Sequence, residues 1–450
     1  MTTIARDYRL SNAEEEVLLL AMDGKSTAAI AQDLGISGDA VRKRLSEVYQ
    51  KFHITGRGPV KLTRLQQLLM TQYQGQFNQQ NSSDESRVTN VPSSQASTSP
   101  HQAAVLTPAE SRRSPISHWG EAPDVSVFYG RETELTYLQT AILKDQCRLI
   151  TVLGMAGMGK TALAVKLARN LQPSFESVIW LSLRQPPKLH ELLHSILNLL
   201  ANHVSSSEAQ HPPSETVESL ISQLIQEFQH RRCLLVLDGA ESMLQSSRLA
   251  GIYKDGYDNY SRFLTRIGQE VHRSCVVLTS QEKLAEISLL EGETAPVRSL
   301  TLGGLTEAAA QQLLKEKGLT GDSKKWTDLI LGYRGNPFML KMVATTIRDV
   351  FDGNVTSFLK TTLFTHDIND YIEDILERMS DVEEEIVHQM ALKQQALSME
   401  ELLGGLPHLS PQDLIRALQS LKQRSLLETS EGRFHLPPAV MTVIADELKN

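Results

Sequence analysis

The chain has 450 residues, enough for about two to four domains, and 41% of them are hydrophobic, the balance of an ordinary globular protein. Its 45 basic and 53 acidic residues leave a net charge of −8, which excludes a globally basic nucleic-acid coat. No run of about eighteen apolar residues occurs, Met1 to Leu10 lacks the apolar stretch of a signal peptide, and Cys147, Cys233 and Cys275 are far apart, each opening an apolar run. We therefore expect no membrane span, buried thiols rather than a disulfide or zinc framework, and a cytoplasmic protein.

The first seventy residues are locally basic. Leu10-Ser11-Asn12-Ala13-Glu14 opens a helix with Ser11 or Asn12 as cap, and Gly24 ends it. A second helix is expected over Thr27 to Leu34. Gly35-Ile36-Ser37 turns the chain into a third, Gly38 to Phe52, whose Val41, Leu45, Val48 and Phe52 form one stripe. Arg42, Lys43, Arg44 and Lys51 lie on its other faces; with Arg57, Lys61 and Arg64 they face only Asp39 and Glu47 between Ser37 and Arg64. This is a helix-turn-helix pattern. From Leu10 to about Leu69 it resembles the LuxR-type DNA-binding domain, with Ala40-Val41 where that family commonly has Thr-Val. The resemblance implies that the third helix enters the major groove, making Arg42, Lys43, Arg44 and Lys51 the candidate DNA-binding residues. It also implies that Val60 to Leu69 pairs with a second copy. A small helical protein-interaction adaptor with a solvated basic face is the alternative.

Between about Gln74 and Asp124 the chain is dominated by Gln, Asn, Ser, Thr and Pro, as in Gln79-Gln80-Asn81-Ser82-Ser83. Such a stretch buries too little apolar surface to offset its ordering entropy, so a disordered tether is expected over residues 74–124, with Trp119 as a residue able to dock on the body.

The body is organised around Gly154-Met155-Ala156-Gly157-Met158-Gly159-Lys160-Thr161, a G-x-x-x-x-G-K-T phosphate loop. The apolar run Leu149 to Leu153 precedes it and a helical pattern follows, the context this motif needs. Gly154, Gly157 and Gly159 let backbone N–H groups face phosphate oxygens, Lys160 reaches the outer phosphates, and Thr161 offers a hydroxyl to Mg²⁺. A second apolar run, Cys233 to Leu237, ends in Asp238, a candidate Mg²⁺ ligand at the carboxyl end of a buried strand. Gly239 follows, so the nearest candidate for polarising an attacking water is Glu241.

Gly130-Arg131-Glu132-Thr133-Glu134-Leu135, the phosphate loop, His272 to Lys283 and Tyr333-Arg334-Gly335-Asn336-Pro337 together resemble STAND NTPases of the NB-ARC class, in particular the cyanobacterial proteins that often end in WD40 repeats. The resemblance covers about Val127 to Leu448. It implies ATP or ADP as ligand, Arg131 near the nucleotide, and Pro337 on its adenine side. That family commonly carries a γ-phosphate-sensing arginine after a Thr-Ser pair; here Thr279-Ser280 is followed by Gln281. At most slow ATP hydrolysis is therefore expected.

The remaining pattern is helical from about Thr306 to Phe351, then helices followed by two short strands and a last helix, Pro438 to Leu448. The expected fold is multidomain: a helix-turn-helix head (residues 1–73), the disordered linker (74–124), an α/β P-loop NTPase core with a parallel sheet (125–302), a helical bundle (303–368) and a C-terminal winged helix (369–450). No repeats of twenty to fifty residues occur, so a separate sensor protein is a possible partner. The expected function is a DNA-binding regulator switched by ATP and ADP, through nucleotide-dependent self-association. A nucleotide-driven oligomerising signalling or defence scaffold is the alternative, and a metabolic ATPase ranks below both.

Overall fold

The computed structural model describes residues 10–22, 30, 34–52, 116–201 and 216–447. Two compact units, Met1–Glu110 and Ser111–Asn450, divide the chain.

In the first unit, α1 (Asn12–Met22) starts on a reciprocal cap. Glu14 N donates to Ser11 Oγ at 3.3 Å, and Ser11 N donates to Glu14 Oε2 at 2.6 Å. The helix α2 (Gly38–Lys51) is capped by Ser37, whose Oγ accepts from Ala40 N at 3.2 Å. Val17, Ile30 and Val41 are buried together, with Leu20, Leu34, Ile36 and Leu45 packed on them. Val48 and Phe52 continue the buried stripe. Most of the expected second helix, the pairing segment Val60 to Leu69, and residues 74–115 of the tether lie outside the described residues.

The second unit is built on a six-stranded, all-parallel sheet in the order β1-β3-β4-β5-β2-β6. Its strands are β1 (Ile116–His118), β2 (Leu149–Leu153), β3 (Ser177–Ser182), β4 (Cys233–Asp238), β5 (Cys275–Ser280) and β6 (Val297–Thr301). Apart from Thr151, Asp238, Thr279 and Ser280, the central strands β2, β4 and β5 are apolar along their length because helices cover both faces. Ile150, Val152, Leu234, Val236 and Val277 pack on one side, and Leu149, Leu235, Leu237, Val276 and Leu278 on the other. The covering helices are α3 (Glu132–Leu143), α4 (Lys160–Leu171), α5 (Leu189–Ala201), α6 (Val217–His230), α7 (Asn259–Gln269) and α8 (Ala285–Leu290). Among the described residues no helix is long and apolar enough to cross a membrane.

The edge strand corrects the expected tether. Ile116, Ser117 and His118 pair in register with Ser177, Val178 and Ile179. Trp119 packs against the core with the Arg169 guanidinium 5.8 Å from its ring. Residues 116–124 therefore belong to the body; a three-residue strand is too short to show a period in sequence.

Beyond β6 the chain is helical: α9 (Glu307–Glu316), α10 (Ser323–Gly332), α11 (Pro337–Phe351) and α12 (Val355–Thr361). Then come α13 (His366–Leu376), α14 (Asp381–Lys393), α15 (Met399–Gly405) and α16 (Pro411–Gln423). An antiparallel hairpin, β7 (Glu428–Ser430) and β8 (Arg433–His435), precedes α17 (Pro438–Glu447). Capping boxes Ser380/Glu383 and Ser398/Glu401 start α14 and α15.

Candidate functional site

The carboxyl ends of β2, β4 and β5 converge on a cavity of about 590 Å³. The loop after β2 turns through Gly154 (φ 145°), Gly157 (φ 78°) and Gly159 (φ 91°), a left-handed course that glycine alone follows cheaply. At Gly157 a Cβ would also stand 2.7 Å from both Asn336 Oδ1 and the Tyr371 hydroxyl. Helix α4 begins at Lys160 with no side-chain cap, so its first N–H groups and its positive end face the cavity.

Lys160 is buried, and its Nζ donates to Gly154 O at 2.8 Å and Met155 O at 3.1 Å. Burial pushes its pKa down, against the pull of Glu241 and Asp238. An ammonium held by loop carbonyls, beside uncapped helix N–H groups, suits a polyphosphate. Thr161 Oγ1 and Thr279 Oγ1 each donate to Asp238 Oδ1 at 2.7 Å. Hydroxyl and carboxylate oxygens in direct contact suit a hard cation such as Mg²⁺, which takes few protein ligands and completes its shell with water and phosphate.

The other site candidates lie around this centre in different roles. Arg131 lines the cavity, but its guanidinium is turned onto four acceptors. It donates to Glu134 Oε1 (2.8 Å), Gly304 O (3.1 Å), Met158 O (3.2 Å) and Gly303 O (2.7 Å), clamping the phosphate loop to the segment after β6. Glu241 also lines it, with both carboxylate oxygens engaged: Gln281 Nε2 donates to Oε1 at 2.9 Å and Gln281 N to Oε2 at 3.2 Å. Pro337 borders the cavity at the first turn of α11, beside Gly159. In the first unit Lys43 is exposed and Arg44 half-buried, while Lys51 is ion-paired with Glu14 at 2.6 Å, so its charge is already matched. Of Arg42 only the backbone position on α2 is described.

Two residues escaped the sequence reading. Arg184 lines the cavity beside Asp238, and Asn336 ties two halves of the site together. Asn336 is fully buried; its Nδ2 donates to Ala156 O at 3.0 Å while its Oδ1 caps α11 by accepting from Phe338 N and Met339 N. Its place before a helix-starting Pro was the available signal for the cap. Asn336→Ala should cost about 2 kcal/mol, about half from the lost cap and half from the buried bond to the phosphate loop, read as a lower urea midpoint. An unchanged midpoint would show that α11 is not held through this side chain.

Comparison with known proteins follows this division. The NB-ARC domain model matches residues 131–295, and the model for bacterial regulatory proteins of the luxR family matches residues 8–62. An uncharacterized WD repeat-containing protein of Nostoc is 38% identical over 348 residues, 74% of this chain and 27% of that protein. The rice disease resistance protein RGA5 is 32% identical over 135 residues, 30% of this chain and 12% of that protein. The chain thus spans about a quarter or less of these relatives. A Walker-type ATPase of Pyrococcus abyssi shares the fold with a TM-score of 0.52 at 15% identity, over 70% of this chain and 96% of that one. The chain joins a luxR-family regulatory domain to an NB-ARC nucleotide-binding domain on a P-loop fold.

Proposed function

We propose that the chain is a STAND-type regulator in which ATP and ADP, held with Mg²⁺ at Lys160, Thr161 and Asp238, set the state of a DNA-binding head. The carrying observation is the wiring of the cavity to the C-terminal helices. Glu241 takes Gln281; the next residue, Glu282, pairs with Arg378 at 2.5 Å and Arg424 at 2.6 Å. Arg378 also donates to Glu241 O at 3.2 Å. We read α9 to α12 as the helical bundle beside the nucleotide and α13 to α17 with the hairpin as a winged-helix lid. A change at the cavity then has a direct mechanical route to the lid. Unequal affinity of ATP for the closed and open arrangements would drive the switch, and self-association would raise DNA affinity through effective concentration. A Glu241 carboxylate occupied by Gln281 fits slow hydrolysis better than rapid turnover.

The test is retardation of genomic DNA fragments by the full chain at several salt concentrations. Binding should be tighter with ATP than with ADP. Replacing Arg42, Lys43 and Arg44 together by alanine should weaken it and flatten the salt dependence by about 0.9 per lost phosphate contact. Equal binding with both nucleotides would refute the switch. Unchanged binding by the triple variant would refute the assigned face. The second reading, an oligomerising signalling or defence scaffold, draws on the likeness to a disease resistance protein and on the matched charge of Lys51. Nucleotide-driven assembly without any DNA binding would select it.

A further inference from the structure

We infer that Arg184 is the residue by which this site distinguishes a nucleoside triphosphate from a diphosphate, an assignment that rests on the nucleotide reading above. Among the described residues four cations line the cavity: Arg131, Lys160, Arg184 and Lys341. The Arg131 guanidinium is spent on Glu134 and three carbonyls, and Lys160 on two carbonyls of its own loop. Lys341 lines the cavity from α11, whereas Arg184 has its guanidinium beside Asp238. At the end of β5 Gln281 is neutral and bonded to Glu241 through its amide at 2.9 Å, so it supplies no charge.

Arg184 stands at the Asp238 end. Its Nη2 lies 4.0 Å from Asp238 Oδ2, beyond hydrogen-bond distance, and its side chain is 71% exposed. Its backbone, by contrast, is fixed. The preceding Leu183 N donates to Asp238 O at 2.7 Å, which anchors the chain leaving β3 to the end of β4. Gly239 completes the arrangement. Its φ is 91°, and a Cβ there would already touch Arg184 Cγ at 3.5 Å, so a longer side chain would contest the path of the arginine stem. The glycine after Asp238 and the glutamine after Ser280 thus belong together. One leaves room for an arginine from β3, and the other leaves the charge for that arginine to supply. A guanidinium on a fixed backbone with one loose contact can turn onto a phosphate oxygen, and its planar fork suits that partner. It would do so beside Thr161 and Asp238, the residues that would hold a Mg²⁺ accompanying the nucleotide.

The test is calorimetric titration of the ligand-free full chain with magnesium and either ADP or a non-hydrolysable ATP analogue. Arg184→Ala should weaken the triphosphate by about tenfold to a hundredfold, the worth of one charge-assisted hydrogen bond, while ADP stays within about twofold. Arg184→Lys, keeping the charge without the fork, should fall between. An equal effect on both nucleotides, or none, overturns the assignment. A wild-type chain that binds neither nucleotide overturns the nucleotide reading itself, and Arg184 with it. Because the side chain is exposed, the ligand-free unfolding midpoint should not move; a shifted midpoint with equal losses for both nucleotides would mark a structural role instead.

Discussion

A Lys160→Ala chain should lose its stabilisation by nucleotide almost entirely while unfolding, ligand-free, within about 1 kcal/mol of the parent. The two halves of this expectation come from one geometry. Lys160 is a buried ammonium whose bonds go to Gly154 O and Met155 O. Burial works against its charge in the ligand-free chain. Its removal costs two hydrogen bonds to carbonyls but also relieves a buried charge, and these terms oppose each other. With a polyphosphate present the balance changes, because the buried ammonium is then matched by negative charge. At ligand one hundred times its dissociation constant, the parent should gain about 2.7 kcal/mol, and the variant almost nothing. Thermal unfolding with and without magnesium and ATP reads both quantities. A variant still shifted by ATP would mean that the loop amides and Thr161 suffice, and that Lys160 is a structural lysine closing its own loop.

What the sequence disclosed and what it hid divide along a physical line. The phosphate loop and Asp238 were legible because each is a local pattern: glycines at fixed spacing after an apolar run, or an acid ending a run buried on both faces. Ser11, three residues before Glu14, is likewise local, and it caps its helix. The contacts that complete the site are not local. Asn336 meets Ala156 across 180 residues, and Arg131 meets Gly303 across 172. The motif around Arg131 suggested a residue near the nucleotide; the structure uses its guanidinium to hold two segments of backbone together. Lys51 stood among the basic residues of its helix, but its partner Glu14 is 37 residues away. Periodicity and spacing carry no record of such pairings; the tertiary packing of each unit creates them.

The buried ion-pair network is the extreme case, and it yields the largest expected change in stability. Arg424 is 4% exposed at the end of α16. Its Nη1 donates to Glu282 Oε1 at 2.6 Å, its Nε to Glu383 Oε1 at 3.1 Å, and its Nη2 to Arg248 O. Glu282 keeps a second cation, Arg378, whereas Glu383, fully buried, accepts from Ser420 Oγ at 2.6 Å, Ser380 N at 2.8 Å and Ser380 Oγ at 2.9 Å but has no other cation among the described contacts. Arg424→Ala should therefore destabilise the chain by about 3–5 kcal/mol, mostly the cost of leaving Glu383 charged and unpaired rather than the worth of the pair. A second substitution separates these causes. Adding Glu383→Gln to Arg424→Met removes the stranded charge and restores volume, and should recover much of the loss, giving a large coupling in a double-mutant cycle. The network also joins the loop after β5 to α14 and α16, so the single variant should free the C-terminal helices before the sheet unfolds. That predicts a new low-temperature transition and, in sedimentation, self-association at nucleotide concentrations where the parent stays monomeric. A variant with the parent's unfolding profile and sedimentation would show that Glu383 is otherwise satisfied and that these helices are held to the nucleotide body by apolar packing alone.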